Sequence, residues 1–152
     1  MKVCIGGTFD IIHKGHELLI SKAFEMACEN GTVFIGISSD NLIKNKKATR
    51  SFYSRKKLVK KFLEKKETHN KTIIKKISDK FGPTLDEEFD VIVVSPETVK
   101  TAEEINKIRK NKGKKPIKII KIPFVLADDG KPISSTRIRN GEINTEGHII
   151  AD

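Results

Sequence analysis

Near its start the chain reads Gly6-Gly7-Thr8-Phe9-Asp10-Ile11-Ile12-His13-Lys14-Gly15-His16. Two imidazoles, a hydroxyl and a glycine pair make a donor set suited to phosphate oxygens. Glycine lets an anion come close to the backbone. His13 and His16, at i and i+3, share one side of a first helical turn. A helix starting near Gly15 would add unpaired N–H groups and a partial positive charge. Asp10 can fix the turn by accepting backbone N–H bonds. Zinc is the rival use of paired histidines, but no third ligand stands nearby. His69 and His148 lie in stretches without pattern. No G-x-G-x-x-G fingerprint is present, which argues against a dehydrogenase.

A second polar run, Ile133-Ser134-Ser135-Thr136-Arg137-Ile138-Arg139, sits near the other end. It reads as a short helix over 134–141 with serine at its cap and glycine after it. Its hydroxyls suit phosphate as well, although Ser134 serves equally as an ordinary helix cap.

Both runs need a frame to bring them together, and the pattern supplies one. Apolar, β-branched runs at 2–7, 32–38, 71–78, 89–95 and 117–123 read as strands. Between them, 15–30, 54–66 and 98–111 carry apolar residues at helical spacing. The run at 71–78 reads as an edge strand guarded by lysines, and 89–95 as the clearest central one. Strand and helix in alternation predict a mostly parallel, doubly wound, Rossmann-like α/β sheet of five strands with helices on both faces. Such sheets bind ligands beyond the carboxyl ends of their strands. Both glycines and both histidines fall at such an end. The last dozen residues carry little signal.

A length of 152 residues fits one domain spanning 1–152. Both cysteines, Cys4 and Cys28, fall in apolar or helical runs and read as buried thiols of a reduced, cytoplasmic protein. A strand pattern begins at once, so no signal peptide is expected. No run nears the roughly 20 apolar residues of a membrane span. The net charge is +10, and it is concentrated. Between Lys44 and Lys80 fifteen Lys and Arg face only three acids. Such a field attracts polyanions or phosphorylated small molecules, and it is also what a solvated lysine-rich face looks like.

Together the two polar runs resemble the G-T-F-D…H-x-G-H and I-S-S-T-x-x-R signatures of the nucleotidyltransferase superfamily of cytidylyl- and adenylyltransferases. They stand in the family's order, and the resemblance covers nearly the whole chain. It implies transfer of a nucleotidyl group to a phosphate monoester by direct in-line attack, with release of pyrophosphate and no covalent intermediate. By this resemblance His16 contacts the α-phosphate and His13 the triphosphate beside it. Gly7, Thr8 and Phe9 line the nucleotide site. Ser134, Ser135 and Thr136 receive the β- and γ-phosphates, with Arg139 behind them. Lys44 and Lys46 belong to a basic loop that acts in catalysis, where Lys47 also crowds in, and Arg55 matches a family arginine after it. Mg²⁺ is expected to arrive with ATP rather than on a protein-held carboxylate cluster.

Within that superfamily the run VVSPET (93–98), the helix bearing Asn106 and Arg109, and LADDGKPISSTRIR are most similar to the archaeal type of phosphopantetheine adenylyltransferases. The implied substrates are ATP and 4′-phosphopantetheine, and the implied product is dephospho-coenzyme A. Ser95, Thr98, Asn106 and Arg109 then join Thr8, Lys44 and Arg55 as candidates for the acceptor side. A monomer or dimer is expected rather than the bacterial hexamer. Glycerol-3-phosphate cytidylyltransferases carry R-T-E-G-I-S-T-T where this chain has DDGKPISST, and archaeal FMN adenylyltransferases have cysteines near the C-terminus. An RNA-binding reading of the basic stretch lacks a stacking platform, since that stretch holds only Phe52, Tyr53 and Phe62 as aromatic anchors near its lysines.

Overall fold

The computed structural model describes residues 1–43, 50–66 and 70–150. Lys44, Lys46, Lys47 and His69 lie outside these described residues. Five strands, β1 (Lys2–Gly7), β2 (Thr32–Ser38), β3 (Lys71–Ile77), β4 (Val91–Val94) and β5 (Lys118–Lys121), form one parallel sheet in the order β3-β2-β1-β4-β5. Among the described residues four α-helices accompany them: α1 (Lys14–Ala27), α2 (Phe52–Glu64), α3 (Val99–Asn111) and the short α4 (Ser135–Arg139). The chain winds outward from β1 to β3, then returns to β4 on the other side of β1. The switch point therefore lies between β1 and β4, where an open α/β sheet leaves a crevice.

Alternation along the strands sorts the core into two layers. Val3 and Ile5 of β1, with Val33, Ile35 and Ile37 of β2, pack under α1 and α2 against Ile20, Phe24, Phe52 and Val59. Cys4, Phe34, Ile92 and Val94 point the other way and pack under α3 against Ala102 and Ile105. A third small cluster, Ala127, Ile133 and Ile143, sits around α4. No helix among the described residues is long and apolar enough to cross a membrane.

Several expectations shift. The strand at the centre is β1, with β4 beside it, and β4 is confined to Val91–Val94. β3 is indeed an edge, and Lys71, Lys75 and Lys76 are exposed along it. α1 stops at Ala27 because Cys28 turns to φ 62. Only Cys4 is a buried thiol, pushed up to about 12 by burial. Cys28 is exposed, because the helix ends before it can be carried into the core. Within 141–150, where the sequence carried little signal, Ile143 bridges Ile149 and is wholly buried.

Candidate active site

The turn after β1 is held from several sides. Phe9 adopts φ 53 and drops its ring into the core, 5.2 Å from the His16 ring centroid. A Cβ on Gly7 would meet that ring at 3.1 Å, so Gly7 makes room for Phe9. Gly6 faces the opposite layer, beside Gly36 of β2. The glycine pair thus has two separate tasks. Phe9 can reach a nucleotide only through its backbone, because its ring is enclosed.

The two histidines cap α1. His13 is the N-cap residue, and its Nδ1 accepts from Gly15 N–H at 3.0 Å. In return His13 N–H donates to His16 Nδ1 at 3.3 Å. The rings stack with centroids 3.9 Å apart. This is a capping box built from imidazoles. Because each Nδ1 accepts a backbone proton, each neutral ring carries its own proton on Nε2. Burial pulls His13 down to about 4. Burial, then the neighbouring His13 charge, pulls His16 to about 3, with the Ile11 backbone acting the other way. Both are therefore neutral Nε2–H donors at physiological pH.

The expected open N–H groups of this helix are corrected. Lys14 N–H donates to Thr145 O at 3.3 Å, and Gly15 N–H is taken by His13. A phosphate here meets imidazole donors in place of these two amides.

Asp10 links the two signatures. It is 3% exposed. Oδ1 accepts from Arg50 N–H at 2.6 Å, and Oδ2 accepts from the Arg139 guanidinium at 2.7 Å. Arg139 is thus aimed by a carboxylate from the other end of the chain. Ser134 Oγ caps α4 by accepting from Arg137 N–H at 3.2 Å. Ser135 and Thr136 line the same cleft.

That cleft, of about 990 Å³, is lined by Gly7, Thr8, His13, His16, Ser95, Thr98, Ser134, Thr136 and Arg139, among others. It opens above the carboxyl ends of β1 and β4. A second hollow of about 300 Å³ adjoins it, sharing Gly6, Gly7, Thr8 and Thr98. Its walls are mainly apolar: Cys4, Phe34, Ile77, Phe81, Val94 and Ile105, with the hydroxyls of Ser38, Thr98 and Thr101. The hollow exists because Gly6 and Gly36 stand side by side where two side chains would otherwise fill it.

Three expected acceptor residues do not reach this space. Arg55 is 0% exposed and spends its guanidinium on Arg50 O, Thr8 O and Asp40, at 2.9–3.0 Å. It braces the turn from behind. Asn106 makes paired bonds to the N–H and C=O of Ile117, both 2.8 Å. Arg109, also 0% exposed, donates to Lys115 O, Thr84 O, Glu87 O and Glu88. For the two arginines, a place on the apolar stripes of α2 and α3, four residues from Val59 and Ile105, was the available signal for burial. Ser95 and Thr98 do line the cleft, and Ser95 N–H donates to Thr98 Oγ1 at 3.1 Å. Sequence reasoning missed Asp40 and Arg50, whose polar roles appear only once 8–10, 40 and 50–55 meet.

Such a sheet, with paired histidines at its switch point, defines a nucleotidyl-transfer fold. The chain belongs to the cytidylyltransferase-like family, which matches residues 4–141. It is 44% identical to a phosphopantetheine adenylyltransferase of Methanosarcina mazei, over 97% of this chain and 96% of that protein. It is 42% identical to one of Archaeoglobus fulgidus, over 99% and 100%. A crystal structure from Archaeoglobus fulgidus, of a protein with unknown function, superposes with a TM-score of 0.73 at 36% identity, covering 80% of this chain and 89% of that one.

Proposed function

We propose that this protein transfers the adenylyl group of ATP to 4′-phosphopantetheine, forming dephospho-coenzyme A and pyrophosphate. The observation that carries the reading is its near-full-length likeness to archaeal phosphopantetheine adenylyltransferases. The site fits the chemistry. A phosphate monoester is already largely dianionic near neutral pH, so its oxygen attacks the α-phosphorus without a general base. The bond from the α-phosphorus to the bridging oxygen breaks, and pyrophosphate leaves. What the protein must supply is alignment and donors for charge that builds in the transition state. In this reading His16 and His13 offer Nε2–H to the α-phosphate and its neighbour. Ser134, Ser135, Thr136 and Arg139 take the β- and γ-phosphates, and Lys44 and Lys46 add positive charge.

The apolar hollow suits the pantetheine arm, a slender chain whose amides can meet the hydroxyls of Ser38, Thr98 and Thr101. Mg²⁺ enters as part of the ATP substrate. Asp10, a carboxylate lining the cleft, has both oxygens engaged by arginine groups and is not free to hold a cation. The chain acts as one catalytic unit in the cytoplasm, as a monomer or dimer.

Pyrophosphate release is measured over a grid of ATP and CTP against 4′-phosphopantetheine, glycerol-3-phosphate and FMN. Turnover with ATP and phosphopantetheine alone is expected. Turnover with CTP and glycerol-3-phosphate, and none with phosphopantetheine, refutes the proposal.

A further inference from the structure

The hairpin Glu142–Ile150 follows α4 and touches both signatures. Its arms pair through Ile143 and Ile149, and Ile150 N–H donates to Glu142 O at 3.1 Å. Its tip is tied by one side chain: Asn144 Oδ1 accepts from Glu146 N–H at 2.9 Å and His148 N–H at 3.0 Å. On one side it is wedged into the cluster behind α4. Ile143 is wholly buried with Ala127 and Ile133, the residue just before Ser134. Gly147 sits at φ +86, and a Cβ there would lie 2.6 Å from Ile133 Cδ1. On the other side the tip meets the histidine turn. Thr145 O accepts the N–H of Lys14, the residue between the histidine cap and Gly15, and Lys14 pairs with Glu146 at 3.1 Å.

We infer that this hairpin is a positioning element for adenylyl transfer. It sets the distance and angle between the imidazole donors on α1 and the hydroxyls of α4. The physical reason is that these groups belong to different elements and must grip one triphosphate. α1 is fixed by the sheet, whereas α4 is five residues long with no fully buried side chain; the Arg139–Asp10 pair ties its front, and Ile138 packs behind it on the cluster that Ile143 completes. A rigid tie that satisfies one of the first amides of α1 and fills the apolar space behind α4 locks the two together. Misplacement of such groups by about 1 Å costs on the order of 100-fold in rate. Asn144 and Gly147 are thus positioning residues: they act through the histidine turn and touch no substrate.

The inference rests on the adenylyl-transfer reading, and its test has two arms. Asn144→Ala loosens the tip without crowding the core, Asn144→Asp keeps both acceptor bonds, and Gly147→Val forces the tip away from Ile133. In the kinetic arm, well below the melting temperature, Asn144→Ala is expected to lower kcat by about 5–10-fold and Gly147→Val by about 30-fold or more. Asn144→Asp is expected to stay within about twofold of the parent. In the second arm, ¹⁵N NMR of the His13 and His16 rings is recorded without substrate. Asn144→Ala is expected to shift these signals away from the fixed Nε2–H form, and Asn144→Asp to restore them. If both variants lower the melting temperature while kcat and the ring signals stay at parental values, the hairpin is only structural and the inference is overturned. If the parent shows no adenylyl transfer but the ring signals still respond, the functional reading fails while the mechanical link stands.

Discussion

Replacing the imidazole capping box by an ordinary one should remove both the acid sensitivity and the catalysis of this protein. The perturbation is the double variant His13→Asn with His16→Gln, which places asparagine at the N-cap and glutamine three residues on. That is a standard cap sequence for a helix start, so α1 should still form. In the parent both rings are held neutral, with His13 down to about 4 and His16 to about 3. In the unfolded chain they titrate near 6.5. Their contribution is therefore fully present above about pH 6.5 and is lost as the pH falls toward the folded values, because only the unfolded chain can take up the protons. Each pH unit below 6.5 removes about 1.4 kcal/mol per histidine that stays neutral. At pH 5 that amounts to roughly 2 kcal/mol each, or about 4 kcal/mol for the pair. For a chain of this size the melting temperature should drop by roughly 8–16 °C between pH 7 and pH 5 from this source alone. Carboxylates also titrate in that range, so the quantity to measure is the difference between parent and double variant by calorimetry at both pH values. The variant should lose little of its stability, and its kcat should fall on the order of 10²–10³-fold. Equal acid losses in both proteins would refute the claim that the rings are buried neutral. The parent's kcat/KM should also show no histidine ionisation between pH 5 and 8, its acid limb following the acceptor phosphate near pH 6.

Three further outcomes can be checked directly. Gly6→Val, whose Cβ would stand in ordinary contact 3.6 Å from Gly36 O, should fill the apolar hollow and raise the KM for phosphopantetheine about tenfold or more, well beyond any loss of ATP affinity measured by calorimetry. Arg109→Met should cost about 3–5 kcal/mol by orphaning the carbonyls of Thr84, Glu87 and Lys115, while kcat per folded molecule stays within about twofold; a selective rise in acceptor KM would restore it to the binding site. Lys44→Ala and Lys46→Ala should slow single turnover more than Lys60→Ala or Lys65→Ala, and equal small effects in all four would mark these lysines as a solvated face.

Periodicity and local chemistry were enough to name nearly every strand and helix of this chain and to order the two phosphate-binding runs at its ends. Alternating strands such as Val3-Cys4-Ile5 already encode which side chain faces which layer, and the serine of Ser134-Ser135-Thr136 already encodes a cap. These are short-range properties, set by the pleat and by backbone groups within a few residues. What the sequence alone could not decide were the contacts between distant segments. The family resemblance suggested that Arg55 and Arg109 meet a substrate, but folding encloses them and commits their donors to carbonyls far along the chain. The histidines declared themselves as donors, yet which nitrogen keeps the proton follows from the cap geometry of residues 13–16 in the folded turn. Asp10 gained its grip on Arg139 across 129 residues, and Thr145 its hold on Lys14 likewise, only through the sheet that brings both ends of the chain to one crevice. A local pattern fixes a residue's immediate backbone neighbours, whereas a buried charge or a helix-capping carbonyl finds its partner only when the tertiary fold excludes water from both.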